Sequence, residues 1–119
     1  VVLFEKFGSD AVRYWAASAR PGVDTAFSEE QMKVGRKLAS KLLNASKFVL
    51  TFPEPGSDAI VSNEIDRAML ARVAVTVNEA TDAFGQYDYA RALERTEALF
   101  WWFCDDYVEL VKGRAYDTN

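Results

Sequence analysis

The sequence predicts an all-α fold: an antiparallel bundle of three long helices, with one or two short helices at its N-terminal end. Apolar residues recur at intervals of three and four along most of the chain, and no segment alternates apolar and polar residues as a strand does. Helix-capping residues and glycine or proline breakers separate the helical segments. The 119 residues are enough for one domain with its own core.

The first 27 residues predict two short helices followed by a loop. Residues 1–7 have the apolar spacing of a helix that ends at Gly8, and a second helix begins near Ser9. The dipeptide Pro21-Gly22 then forms a turn.

The first long helix opens the bundle proper, residues 28–119. Ser28 is followed three residues later by Gln31, and this capping box predicts a helix that continues to about Thr51. Two prolines and a glycine in residues 52–58 end that helix and belong to a linker of roughly ten residues.

Two further long helices follow the linker. One begins near Ser62 or Asn63 and ends at Gly85, and Asp88 caps the other, which ends at Gly113. In the last helix the apolar residues alternate in steps of four and three, a seam that is typical of a helix bundle. We expect this seam to face the preceding helix and one side of the first long helix. That side consists of Leu38, Leu42 and Val49.

The charge of the chain is unevenly distributed. The net charge is −4, yet residues 31–50 carry five cations and no acid, which leaves nine cations and eighteen acids elsewhere. At about 100° per residue, the cations of the first long helix share one arc with Ser40 and Asn44. Phe48 falls inside the same arc rather than among the apolar residues. Such an asymmetry is typical of proteins with a polyanionic partner.

Two interpretations of this basic face are open. It can be a solvated surface on which the ring of Phe48 folds back onto the edge of the core. It can also bind single-stranded RNA, because lysines neutralise phosphates and an aromatic ring stacks an unpaired base with about 1–3 kcal/mol. The candidate RNA-binding residues are Lys33, Arg36, Lys37, Ser40, Lys41, Asn44, Lys47 and Phe48.

Several kinds of chemistry are excluded by what the sequence lacks. The absence of histidine removes Ser-His and Cys-His nucleophilic sites and imidazole bases. No glycine-rich phosphate loop of a standard spacing occurs. We therefore predict no catalytic residue, no metal ligand and no cofactor in this chain.

The remaining reactive or unusual side chains have ordinary structural explanations. The single cysteine, Cys104, cannot form an internal disulfide, suits a cytoplasmic location and is expected to be buried. Three neighbouring acids are expected on a solvated helix surface rather than around a metal. Trp101 and Trp102 point about 100° apart and cannot enter one seam. No apolar run is long enough for a membrane span, so no membrane partner is expected. The three acids are Asp105, Asp106 and Glu109.

Three stretches resemble class I aminoacyl-tRNA synthetases. "FGSDAVRYWAASA" is similar to the segment after the second ATP-site signature of that family. "GVDTAFSEEQMKVGRKLASKLLNASKFVL" resembles the entry to its anticodon-binding bundle, in the form seen in valyl-tRNA synthetases. "YDYARALERTEALFWWFCDDYVELVKGR" is similar to a later bundle helix that valyl, leucyl and isoleucyl enzymes share.

This resemblance implies a function and a place in a larger enzyme. Residues 1–27 would link the catalytic domain to the anticodon-binding bundle, and the bundle would recognise the anticodon stem–loop of valine tRNA. The parent enzyme would charge that tRNA in protein biosynthesis, with ATP and Mg²⁺ as its cofactors, while this part makes no bond. Valine tRNA and the rest of the synthetase would be the partners of a monomeric, cytoplasmic fragment.

Two alternatives are kept. The same bundle can come from a leucyl- or isoleucyl-tRNA synthetase, although residues 44–49 fit those enzymes less well. From another class, the chain can be a helical interaction module that uses its positive face to bind an acidic protein.

Overall fold

The computed structural model describes residues 1–117 and confirms the all-α fold, since every regular element in that range is helical. Helices α5 and α6 are joined without a break by one π-helical turn, Phe103–Tyr107. The α-helices are α1 (Val2–Phe7), α2 (Ser9–Ala17), α3 (Glu29–Val49), α4 (Glu64–Gly85), α5 (Tyr89–Trp102) and α6 (Val108–Tyr116). No helix in the described range combines the length and the apolar content needed to cross a membrane.

The predicted caps at Ser28 and Asp88 are confirmed, and of the two predicted starts of α4, Ser62 and Asn63, it is Asn63 that caps the helix. The Ser28 hydroxyl accepts the backbone N–H of Gln31 at 3.3 Å. The Asn63 side chain accepts from the N–H of Ile65 at 3.0 Å, and Asp88 accepts from that of Arg91 at 3.2 Å. Each cap satisfies a donor that would have no partner inside its helix.

The predicted helix ends are confirmed in one case and wrong in the other. Helix α4 does end at Gly85, although Tyr87, with φ of 60°, is the residue in the left-handed region. The last helix does not end at Gly113 but continues to Tyr116. Tyr116 packs its ring near Phe48, with 6.1 Å between the ring centroids, and tertiary packing of this kind overrides the weak helix propensity of glycine.

Apolar packing holds the N-terminal half together. Phe7, Ala11 and Met32 form a buried cluster in which α1, α2 and α3 meet. Helices α2 and α3 approach so closely that a Cβ atom on Gly35 would lie 2.6 Å from the Cβ of Tyr14. Only glycine fits this crossing without displacing the neighbouring helix.

Polar contacts hold much of the C-terminal half together. Helix α4 packs against α5, with small residues such as Ala83 and Ala90 buried. Asp66 of α4 accepts a hydrogen bond from the Tyr107 hydroxyl at 2.7 Å and two from the Arg114 guanidinium at 2.6 and 2.7 Å. These bonds, that from Arg114 first, lower the pKa of the Asp66 carboxyl to about 2.

The packing between the two halves is more open than predicted. The radius of gyration of the Cα atoms is 17.4 Å, against about 13–14 Å for a compact domain of this length. Leu38 is buried as expected, but Leu42 is 46% and Val49 49% exposed, so the last helix does not cover them as a closed seam would. Val49 still borders a groove together with Phe100 and Phe103 of the last helix. Helix α2 approaches α5 closely, whereas open grooves lie between α3 and the last helix.

Candidate nucleic-acid interface

The cations of α3 are unpaired. Among residues 1–117, the salt bridges involve Lys6, Arg20, Arg95, Lys112 and Arg114, and none of them involves a cation of α3. All of the α3 cations are exposed except Lys41, which is half-buried. Their positive charge is therefore not neutralised by a neighbouring acid at contact distance, and a polyanion can approach it. The five α3 cations are Lys33, Arg36, Lys37, Lys41 and Lys47.

A groove between α3 and α5, called here the α3–α5 groove, collects half of the predicted site residues. Its volume is about 560 Å³. Trp101 of α5 and Asp105 of the π-helical turn form its other wall, and the sequence did not assign either of them to a site. The α3 wall consists of Lys37, Ser40, Lys41 and Asn44.

Trp101 is held in place by a chain of hydrogen bonds. Its indole N–H donates to Glu97 at 3.2 Å, and the other oxygen of Glu97 accepts from the Tyr14 hydroxyl at 2.8 Å. Burial first, and the contact with Glu97 second, raise the pKa of Tyr14 to about 12, so Tyr14 stays a donor at neutral pH. The Lys37 ammonium lies 5.9 Å from the centre of the Trp101 ring. The chain thus links α2, α5 and the basic face of α3.

Phe48 lies in a neighbouring groove, called here the aromatic groove. Its ring is half-buried and meets the ring of Phe52 at 5.2 Å and that of Tyr116 at 6.1 Å between centroids. Lys41 and Asn44 line both grooves, so the two are continuous along α3. The ring therefore rests on the edge of the fold, as the first interpretation has it, and also faces a groove lined by basic residues. Its role in base stacking stays a prediction.

The other predicted site residues lie apart from the two grooves. Arg36 lines a different cavity together with two acids, Glu5 and Asp10, and Ser40 borders that cavity as well. Lys33 and Lys47 are exposed and line neither groove. The eight candidates thus share one helix but do not form one compact site.

The cysteine and the acids near the π-helical turn have separate surroundings. Cys104 is buried, as predicted, and burial raises the pKa of its thiol. Glu109 forms a salt bridge with Lys112, whereas Asp105 faces the α3–α5 groove. Within residues 1–117 no three acids, cysteines or histidines are grouped as metal ligands would be.

Comparison with known proteins gives two findings. A sequence family described as "Anticodon-binding domain of tRNA ligase" matches residues 66–119, which include α5 and the π-helical turn. A valine–tRNA ligase of Salinispora tropica is 59% identical over 120 residues, covering 98% of this chain and 14% of the relative. Those of Thermobifida fusca and Cutibacterium acnes are 58% and 54% identical, each over 98% of this chain and over 14% and 13% of the relative.

These relatives are much longer than the chain. The chain spans about one seventh of the length of the curated relatives it matches. No solved structure gave a match.

Proposed function

The chain belongs to the valine–tRNA ligase family, and from that premise we propose that it recognises the anticodon stem–loop of valine tRNA. It does so as one part of a longer enzyme that joins valine to this tRNA with ATP and Mg²⁺. The part described here supplies RNA recognition and positioning, and it is monomeric and cytoplasmic. Residues 1–27 connect the bundle to the catalytic part of that enzyme.

The unpaired cations around the two grooves of α3 carry this proposal. An anticodon loop presents unpaired bases on a phosphate backbone, and proteins read such loops with aromatic rings and cations placed side by side. The α3–α5 groove offers Lys37 and Lys41 beside Trp101, and the aromatic groove offers Lys41 beside Phe48. The family match includes Trp101 and Asp105, which form the wall of the α3–α5 groove opposite α3.

The relatives favour valine over the other amino acids of the class. The bundle alone fits leucyl and isoleucyl enzymes as well, whereas the relatives described above all carry the valine name. The family-level resemblance implies that valine tRNAs share A and C as the second and third anticodon bases. These two bases are therefore the ones that a specific interface has to read.

A salt titration of RNA binding tests the proposal. The purified chain is titrated with a valine anticodon stem–loop and with a control stem–loop in which the second and third anticodon bases are exchanged. We expect binding that weakens linearly with the logarithm of the salt concentration and that favours the valine loop. A chain that binds neither RNA at low salt, or that prefers an acidic peptide of equal charge, contradicts the proposal.

The absence of chemistry in this chain is tested separately. We expect no valine-dependent pyrophosphate exchange from the purified chain, because it has no histidine and no phosphate-binding loop. Exchange above the background would contradict the proposal that this chain only recognises RNA and that another part of the enzyme activates valine.

A further inference from the structure

We propose that the α3–α5 groove is a subsite for a single unpaired nucleotide, with the base against Trp101, its phosphate on Lys37 and Lys41, and its amino-bearing edge towards Asp105. This inference rests on the proposed function and adds a binding residue, Trp101, and a base preference to it.

The two adjacent tryptophans show why Trp101 is the stacking residue. Both rings are half-buried, but the Trp102 ring is already in contact with α4 and the π-helical turn, since the Arg72 guanidinium lies 4.0 Å from its centre and the Tyr107 ring 6.2 Å. The Trp101 ring borders the groove, where the flexible Lys37 ammonium lies 5.9 Å from its centre. A ring of this kind is accessible to a base once the lysine moves.

The orientation of Trp101 is fixed before any ligand binds. Its indole N–H is bonded to Glu97, which in turn is bonded to Tyr14 on another helix. A side chain that is already held in its binding rotamer loses little conformational entropy on binding. Glu97 is thus a positioning residue for Trp101.

The charges of the groove determine the orientation in which a nucleotide binds. The α3 side carries Lys37 and Lys41, neither of them in a salt bridge within residues 1–117, and the opposite side carries the carboxylate of Asp105. A phosphate is attracted to the lysines and repelled by Asp105. An ionised carboxylate only accepts hydrogen bonds, so it favours a base edge with an exocyclic amino group, as in adenine, cytosine or guanine.

Lys37 changes its partner when the nucleotide binds. In the unbound chain its ammonium rests near the Trp101 ring, and an exposed cation–π contact of this length is weak. The incoming base replaces the ammonium on the ring, and the ammonium pairs with the phosphate. The Trp101 ring and the Lys37 ammonium therefore each have a partner both with and without the nucleotide.

The test compares the adjacent tryptophans. Affinity for the valine anticodon stem–loop is measured for the unchanged chain, for Trp101→Leu and for the matched control Trp102→Leu, each corrected for its folded fraction. We expect Trp101→Leu to bind about 5- to 150-fold more weakly with an unchanged salt slope, and Trp102→Leu to stay within about twofold. In a second series, the second or third anticodon base is replaced by uridine, which has no exocyclic amino group. This replacement should weaken binding by the unchanged chain more than binding by Asp105→Asn.

A spectroscopic readout covers the case in which a variant does not fold. The unchanged chain is labelled with 5-fluorotryptophan, and its fluorine resonances are assigned by single Trp→Phe variants. The Trp101 resonance should shift on addition of the stem–loop, and the Trp102 resonance should not. Binding by the unchanged chain without a Trp101 shift, or with equal affinity for Trp101→Leu, overturns the subsite and leaves the proposed function standing. No binding by the unchanged chain overturns both.

Discussion

The cations of α3 and those of the C-terminal half differ in what they contact. Arg95 pairs with Glu79 at 3.8 Å, Lys112 pairs with Glu109, and Arg114 pairs with Asp66 at 2.6 Å. No cation of α3 has such a partner within residues 1–117. In the C-terminal half charge helps to hold α4 against the last helix. The cations of α3 have no such role: apolar packing holds this helix, together with a salt bridge from its acid Glu29 to Lys6.

This difference shows which charges are free to act on a ligand. Lys33, Lys37 and Lys41 follow each other at intervals of four residues, an arrangement in which like charges repel along a helix. The packing of Met32 and Gly35 against α2 tolerates that repulsion because it does not depend on charge. The charges of α3 can therefore be removed with little loss of stability, and those of Asp66 and Arg114 cannot.

The largest expected effect concerns the packing that supports α3. Gly35→Ala places a methyl group against Tyr14, and overpacking of this kind costs about 1–3 kcal/mol of unfolding free energy. The matched control is Gly113→Ala, since a Cβ there meets no atom within 4 Å. Removing a helical glycine should then stabilise the chain by about 0.5–1 kcal/mol. Urea unfolding measures the change in unfolding free energy of both variants. Changes of the same sign would contradict the close packing of Gly35 against Tyr14.

The next effect concerns Phe48, which lies between the two regions. Phe48→Ala removes its contacts with the rings of Phe52 and Tyr116, worth about 0.5–1.5 kcal/mol each. If the ring also stacks a base, RNA affinity falls by about 1–3 kcal/mol with the salt slope largely kept. Melting temperature and stem–loop affinity are measured on the same variant. A loss of stability with unchanged affinity would assign Phe48 to the fold alone.

A smaller effect is expected from the carboxylate that joins α4 to the last helix. The pKa of Asp66 lies at about 2, below its ordinary value of 3.8, so its contribution is complete above about pH 4 and is lost as the pH falls through about 2. Asp66→Asn should lower the melting temperature by a few degrees at neutral pH. Acid titration of stability should also be flatter for this variant than for the unchanged chain. Parallel curves would show that the bonds from Arg114 and Tyr107 contribute little.

The smallest effect on stability is expected at the lysines, where a paired and an unpaired cation border the same groove. Lys41 and Lys112 both line the aromatic groove, but only Lys112 forms a salt bridge in the described range. Lys41→Ala should reduce the salt slope of RNA binding by about one and change stability by less than about 0.5 kcal/mol. Lys112→Ala should change the slope less, because its charge is already paired. Equal changes in slope would contradict the division into paired and unpaired cations.

The sequence predicts what depends on neighbours along the chain. Ser28 and Asp88 were recognisable as caps because the donor that each satisfies lies three residues away. The start of α4 was narrowed to Ser62 or Asn63 for the same reason. The basic face of α3 followed from the helical period in the same way. These features need no knowledge of how the helices are arranged in space.

The features that the sequence could not predict depend on distant contacts. The continuation of the helix beyond Gly113 accompanies the contact between Tyr116 and Phe48, which are far apart in the chain. Trp101 joins the groove because Glu97 and Tyr14 orient it, and a helical wheel contains no information about that contact. The exposure of Leu42 likewise depends on how far the last helix lies from α3, which the helical period does not encode.

The π-helical turn lets the last helix hold one more residue than a regular α-helix does over the same turn. Its hydrogen bonds join residues five apart instead of four, so deleting one residue within 103–107 and restoring a regular helix would leave α6 facing nearly the same way relative to α5. Arg114 would still reach Asp66, and Tyr116 would still reach Phe48. A deletion inside α5 or α6 has no such turn to absorb it and would rotate the following residues by about 100°. A one-residue gap at the π-helical turn is therefore tolerated much as one in the loop of residues 50–63 is.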